Sequence, residues 1–143
     1  MLFGRRKRRI SRLLVVEDEP LVAFDTEHFL TDSGFTIVAT VDRVADATAL
    51  IGSGTGVDLV LADVNLADGS GLDVARAART HEVPVLFVTG NCPVEAQQLA
   101  AGCLAKPYAQ RDLLAAIQAI DAVLAGNKPK RMPPGFRLFD QVD

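Results

Sequence analysis

The chain has 143 residues, 49% of them hydrophobic and 23% charged, enough for one domain with a substantial core. No apolar run approaches the ~20 residues of a membrane helix, two cysteines exclude a disulfide framework, and no His or Cys cluster has zinc-site spacing. The net charge of −3 conceals a division: residues 1–12 carry six cations and no acid, whereas residues 13–125 carry 5 basic and 16 acidic side chains, a span that repels nucleic acid and accommodates a cation.

Residues 1–11 form a basic arm, expected to be solvated, whose opening could pass for the front of a secretion signal. The apolar run that follows covers only residues 13–16 and is cut off by Glu17-Asp18-Glu19, so a cytoplasmic protein is expected. That run, Leu-Leu-Val-Val, is too short for a helix and reads as a buried strand. Pro20 suits a first helical turn, and a helix over 21–32 is expected to stop at Gly34. Residues 35–40, rich in β-branched side chains, read as the second strand. A helix over 43–51 ends in Gly52-Ser53-Gly54, and the third strand, 57–62, delivers Asp63. A loop rich in Asp and Gly leads to a helix over 72–80.

Residues 85–88 form the fourth strand, running into Thr89-Gly90. Residues 93–101 predict a weak helix, because large apolar anchors are few. A short fifth strand at 103–105 precedes Lys106-Pro107. The last helix is the clearest, with Leu113, Ile117, Ile120 and Leu124 at helical spacing. The domain therefore spans 12–125, and the tail, 126–143, is too short for a second domain and is expected to lack regular structure. Alternating strands and helices at this pitch imply an α/β fold, a doubly wound parallel sheet with helices on both faces. Ligands bind at the carboxyl ends of such strands.

Those ends carry the chemistry. Glu17 and Asp18 follow strand one, Asp63 strand three, Thr89 strand four and Lys106 strand five. Alone, Asp63 reads as a turn or capping residue, Thr89 as a backbone-bonding hydroxyl and Lys106 as a surface cation. Together, three carboxylates at one sheet edge call for a cation. Oxygen ligands without Cys or His favour Mg²⁺, and the hydroxyl and ammonium suit an anion such as phosphoryl. The acids after strand one replace the glycine-rich loop that a nucleotide-binding domain would need there.

The segments Leu-Leu-Val-Val-Glu-Asp-Glu-Pro (13–20), Asp-Leu-Val-Leu-Ala-Asp-Val-Asn-Leu (58–66), Val-Pro-Val-Leu-Phe-Val-Thr-Gly (83–90) and Ala-Lys-Pro-Tyr (105–108) resemble the receiver domains of response regulators in two-component systems. The resemblance implies a flavodoxin-like fold with five parallel strands in the order 2-1-3-4-5. It implies that Asp63 is the phosphoacceptor, receiving its phosphoryl group from a histidine kinase or histidine phosphotransfer protein. It implies Mg²⁺ on Asp18, Asp63 and the backbone carbonyl of Asn65, with Glu17 holding metal-bound water.

Thr89 and Lys106 would contact the phosphoryl oxygens, Gly90 and Pro107 would be structural, and a cis bond is expected before Pro107. Cys103 stands where many receivers carry a switch aromatic, so Cys103 and Tyr108 are candidate switch residues. Phe87-Val88-Thr89-Gly90 resembles the motif of the FAT GUY receivers of alphaproteobacteria, which lack that aromatic, and the resemblance is to their stand-alone stress-response members. Such a domain is a signalling module rather than an independent enzyme. Its output is expected through protein contacts on the face of the fourth helix, fifth strand and fifth helix, without direct DNA binding. A phosphate-independent scaffold and a phosphate sink are the alternatives.

Overall fold

The computed structural model describes residues 10–139. The elements run β1 (Arg12–Val16), α1 (Pro20–Asp32), β2 (Thr36–Val41), α2 (Val44–Gly52), β3 (Leu59–Ala62), β4 (Asn65–Leu66), β5 (Gly69–Ser70), α3 (Gly71–Thr80), β6 (Val85–Thr89), α4 (Ala96–Leu99), β7 (Gly102–Ala105), α5 (Gln110–Leu124) and β8 (Phe136–Leu138). The main sheet has the order β2-β1-β3-β6-β7-β8, while β4 and β5 pair only with each other. The five strands expected from the sequence are β1, β2, β3, β6 and β7. All pair in parallel, in the expected order 2-1-3-4-5.

Strand alternation divides the core into two layers, because successive side chains point to opposite faces. Leu13, Val15, Leu59, Leu61, Leu86 and Val88 pack on one face with Leu30 of α1 and Leu113, Ile117 and Ile120 of α5. Leu14, Val16, Val60, Ala62, Val85 and Phe87 pack on the other with Ala47 and Ile51 of α2 and Val74, Ala75 and Ala78 of α3. The central strands are apolar from Leu13 to Val16, Leu59 to Ala62 and Val85 to Val88 because both of their faces are covered there. The β4–β5 hairpin also ties down α2: the Asp68 carboxylate accepts hydrogen bonds from the Val44 and Ala45 N–H groups at the helix start.

Three expectations need correction. The tail carries β8, which pairs antiparallel with β7 through Gly102↔Leu138, Cys103↔Arg137 and Leu104↔Phe136. Phe136 and Phe139 are buried, and that burial orders the segment. The helix expected over 93–101 contracts to the four residues of α4, as its poor apolar anchoring foreshadows. The basic arm ends earlier than residue 11. Ile10 is fully buried, Ser11 donates to Asp58, and the Arg12 guanidinium donates to the carbonyls of Gly56 and Thr55, both at 2.9 Å. The remainder of the arm, residues 1–9, lies outside the described residues.

Candidate functional site

Ladder bonds bring the polar residues to one corner. The Glu17 N–H donates to Val41 O at 2.9 Å, the Asp63 N–H to Val16 O at 3.1 Å and the Lys106 N–H to Thr89 O at 2.9 Å. Each side chain therefore emerges from a strand already fixed in the sheet. Lys106 Nζ donates to Asp63 Oδ2 at 2.8 Å and, more distantly, to Glu17 Oε1 at 3.4 Å. The other Asp63 oxygen accepts from the Asn65 N–H at 3.2 Å, and the other Glu17 oxygen from the Glu19 N–H at 3.1 Å. Glu17 and Asp63 are buried, at 5% and 9% exposure.

That burial sets the electrostatics. Desolvation raises the Glu17 carboxyl above its ordinary value, against the opposing pull of the Glu19 N–H and the Lys106 charge. Burial works against a charged Lys106, but the hydrogen bond to Asp63 and the two carboxylate charges outweigh it, so the ammonium is held above its ordinary value. Carboxylate oxygens of Glu17, Asp18 and Asp63 all lie within 4.8 Å of one another. Opposite ligands in a Mg²⁺ octahedron sit about 4.2 Å apart, so small side-chain adjustments suffice for these oxygens to share one ion. The donors are all oxygen, and one ammonium against three carboxylates leaves an excess of two negative charges. The residues fit a hard divalent cation.

The other expected residues are placed less uniformly. Thr89 ends β6 at the same sheet edge and is buried. Its hydroxyl is engaged with the Asn91 backbone, donating to the carbonyl and accepting from the N–H, both at 3.4 Å. The Lys106–Pro107 bond is cis, as expected. Gly90 has open space where a Cβ would stand and no positive φ, so sterics do not demand glycine there. Cys103 is buried between Phe87 and Arg137 in the sheet. Burial, then the neighbouring Cys92, pushes its thiol up, and a protonated thiol is inert. Tyr108 packs against the α1–α5 layer, and burial raises its phenol.

One contributor escaped sequence reasoning. Gly71 opens α3 directly against the acidic corner: a Cβ there would lie 2.2 Å from the Asp63 carbonyl oxygen. The Gly71 N–H donates to Val64 O at 2.6 Å, and Ser70 caps the helix by accepting from the Leu72 N–H at 3.1 Å. The missing side chain lets α3 buttress the Asp63 backbone. The only signal was a second glycine in Asp-Gly-Ser-Gly, indistinguishable from ordinary loop chemistry.

Residues 13–118 match the response regulator receiver domain family. The chain belongs to that family. This receiver is 37% identical over 81 residues to the phyllosphere-induced regulator PhyR of Methylorubrum extorquens, covering 55% of this chain and 30% of that protein. It is 30% identical over 138 residues to the swarming motility regulation protein RssB of Serratia marcescens, covering 92% of this chain and 62% of that one. The chain thus spans less than two thirds of either relative. Among solved structures, a receiver protein from Sinorhizobium medicae superposes with a TM-score of 0.68 at 27% identity, covering 78% of this chain and 94% of that one. The chemotaxis protein CheY4 of Vibrio cholerae shares the fold, with a TM-score of 0.70 at 24% identity over 78% of this chain and 98% of that one. Among the described residues no helix is long and apolar enough to cross a membrane.

Proposed function

We propose that this receiver accepts a phosphoryl group on Asp63 from a phosphohistidine of a histidine kinase or phosphotransfer protein. The observation that carries this reading is the Lys106 ammonium 2.8 Å from an Asp63 oxygen, within a carboxylate cluster whose oxygens lie inside 4.8 Å of one another. Asp18, Asp63 and the Asn65 carbonyl would hold Mg²⁺, with Glu17 reaching it through water. When bound, the ion neutralises charge on the transferred group.

An Asp63 carboxylate oxygen attacks the phosphorus; the P–O bond forms as the P–N bond breaks, and the electron pair returns to the imidazole, which takes a proton from solvent. Lys106 exchanges its contact with Asp63 Oδ2 for a phosphoryl oxygen. The Thr89 hydroxyl leaves the Asn91 backbone for another. In the absence of modification, Lys106 partly neutralises the buried carboxylates.

Output runs through protein contacts on the face of α4, β7 and α5, with Cys103 and Tyr108 as candidate switch residues. The setting is the cytoplasm and, on the resemblance of residues 87–90 to the FAT GUY receivers, the general stress response. The net-acidic span 13–125 argues for protein rather than nucleic-acid partners. The test is mass spectrometry after incubation with Mg²⁺ and acetyl phosphate. One phosphoryl group is expected on the wild type and none on Asp63→Asn; a variant that is still modified would overturn the assignment.

A further inference from the structure

The family match ends at residue 118, yet the described chain continues through β8 and closes the sheet beyond β7. Without β8, the outer edge of β7 would be an open row of backbone groups, a template for strand pairing. The tail fills that edge with complementary detail. Gly102 has no side chain where the Phe136 ring lies: a Cβ would fall 2.7 Å from the ring and 2.8 Å from the Arg137 carbonyl. Phe136 enters the core layer of α1 and α5, while Phe139 enters that of α2 and α3. Arg137 lies over the Phe139 ring, 5.4 Å from its centroid.

The attachment is uneven along its length. At one end the Phe139 N–H donates to Ala101 O at 2.9 Å beside buried aromatics. At the other, the Ala105 N–H donates to Gly135 O at 2.9 Å beside a cleft of about 330 Å³ lined by Ala105, Pro107, Tyr108, Ala109, Asp112, Pro134 and Gly135. An ion pair between Arg131 and Asp112 at 3.1 Å, with the arginine half exposed, spans that weaker end. Ala105 is followed directly by Lys106, whose ammonium is held by Asp63 and Glu17 and whose N–H is held by Thr89. Regrouping of Lys106 and Thr89 around a modified Asp63 thus acts one residue from the anchor of the tail, at the end with space to yield.

We propose that residues 131–139 are the resident occupant of a strand-docking edge, released from β7 when Asp63 is modified. The partner is an extended segment that takes the vacated edge by β-pairing, with an aromatic side chain over Gly102. This rests on the phosphoacceptor reading above. Coupling is reciprocal: if modification releases the tail, loosening the tail favours the modified state.

The experiment uses the full chain with Mg²⁺, with and without beryllofluoride as phosphoryl mimic. Hydrogen exchange reads the Ala105 and Phe139 amides, and fluorescence anisotropy reads a labelled peptide of this chain's own residues 133–139 as a stand-in partner strand. In the mimic-bound state, exchange at both amides is expected to accelerate about tenfold or more and the peptide to bind; replacing both peptide phenylalanines by alanine should abolish that binding. Phe136→Ala and, independently, Phe139→Ala should admit the peptide without the mimic and tighten beryllofluoride binding about fivefold. Asp63→Asn reports whether the mimic acts at the expected carboxylate. If the mimic fails to bind in an Asp63-dependent way, the phosphoacceptor reading falls and this coupling with it. If it binds while both amides keep their protection, or the peptide is still excluded from both tail variants, the inference alone is overturned.

Discussion

The acidic corner and the tail-covered edge meet at β7, one residue apart at Lys106 and Ala105, yet they are held by opposite means. The corner gathers ionised groups in which one ammonium stands against three carboxylates, leaving it charge-imbalanced and responsive to ligands. The edge is closed by two aromatic rings and a short antiparallel ladder, and owes its order to buried apolar surface. A site meant to change state is built from desolvated charge, whose balance one ion or one phosphoryl group can reverse. A cover is built from burial, which responds weakly to ions.

The contrast makes the largest expected effect conditional on Mg²⁺. Lys106→Met leaves Glu17 and Asp63 buried without their ammonium and should cost about 3 kcal/mol in urea unfolding without divalent ions, the lower end of the range for a broken buried pair, since the lysine side chain remains 25% exposed. Millimolar Mg²⁺ should recover most of that loss, and a loss indifferent to Mg²⁺ would break the comparison. Phe139→Ala should cost about 2 kcal/mol with or without Mg²⁺. That is less than for a central phenylalanine, because the tail can detach before the domain unfolds.

Asp112→Asn removes the pair with Arg131, whose side chain is 54% exposed, so a loss of about 0.5 kcal/mol that fades in high salt is expected.

The smallest effect is a pH trend. Burial raises the folded-state Glu17 carboxyl above the ordinary 4.5, so between 4.5 and that raised value the folded chain binds more protons than the unfolded one. Its contribution to stability therefore grows as pH falls through that window and is absent above it. In Mg²⁺-free unfolding series, the wild type should gain on Glu17→Gln as the solution is acidified; a constant difference would remove desolvation as the governing influence there.

The sequence by itself determined the parallel α/β architecture, because fully apolar runs such as 13–16 and the heptad-like spacing of Leu113, Ile117 and Ile120 reflect burial on two faces and on one. It also determined which residue types stand at the strand ends, since Glu17 and Asp18 follow one apolar run and Asp63, Thr89 and Lys106 each follow another. Only the tertiary structure decided how those groups engage. Lys106 chooses between two carboxylates by distance, and Thr89 bonds to its own loop. Close approach alone exposes the need for glycine at Gly71 against Asp63 and at Gly102 against Phe136. The tail was decided there too: three residues carry no readable period, and Phe136 and Phe139 order the segment only because an open strand edge and two core layers wait for them.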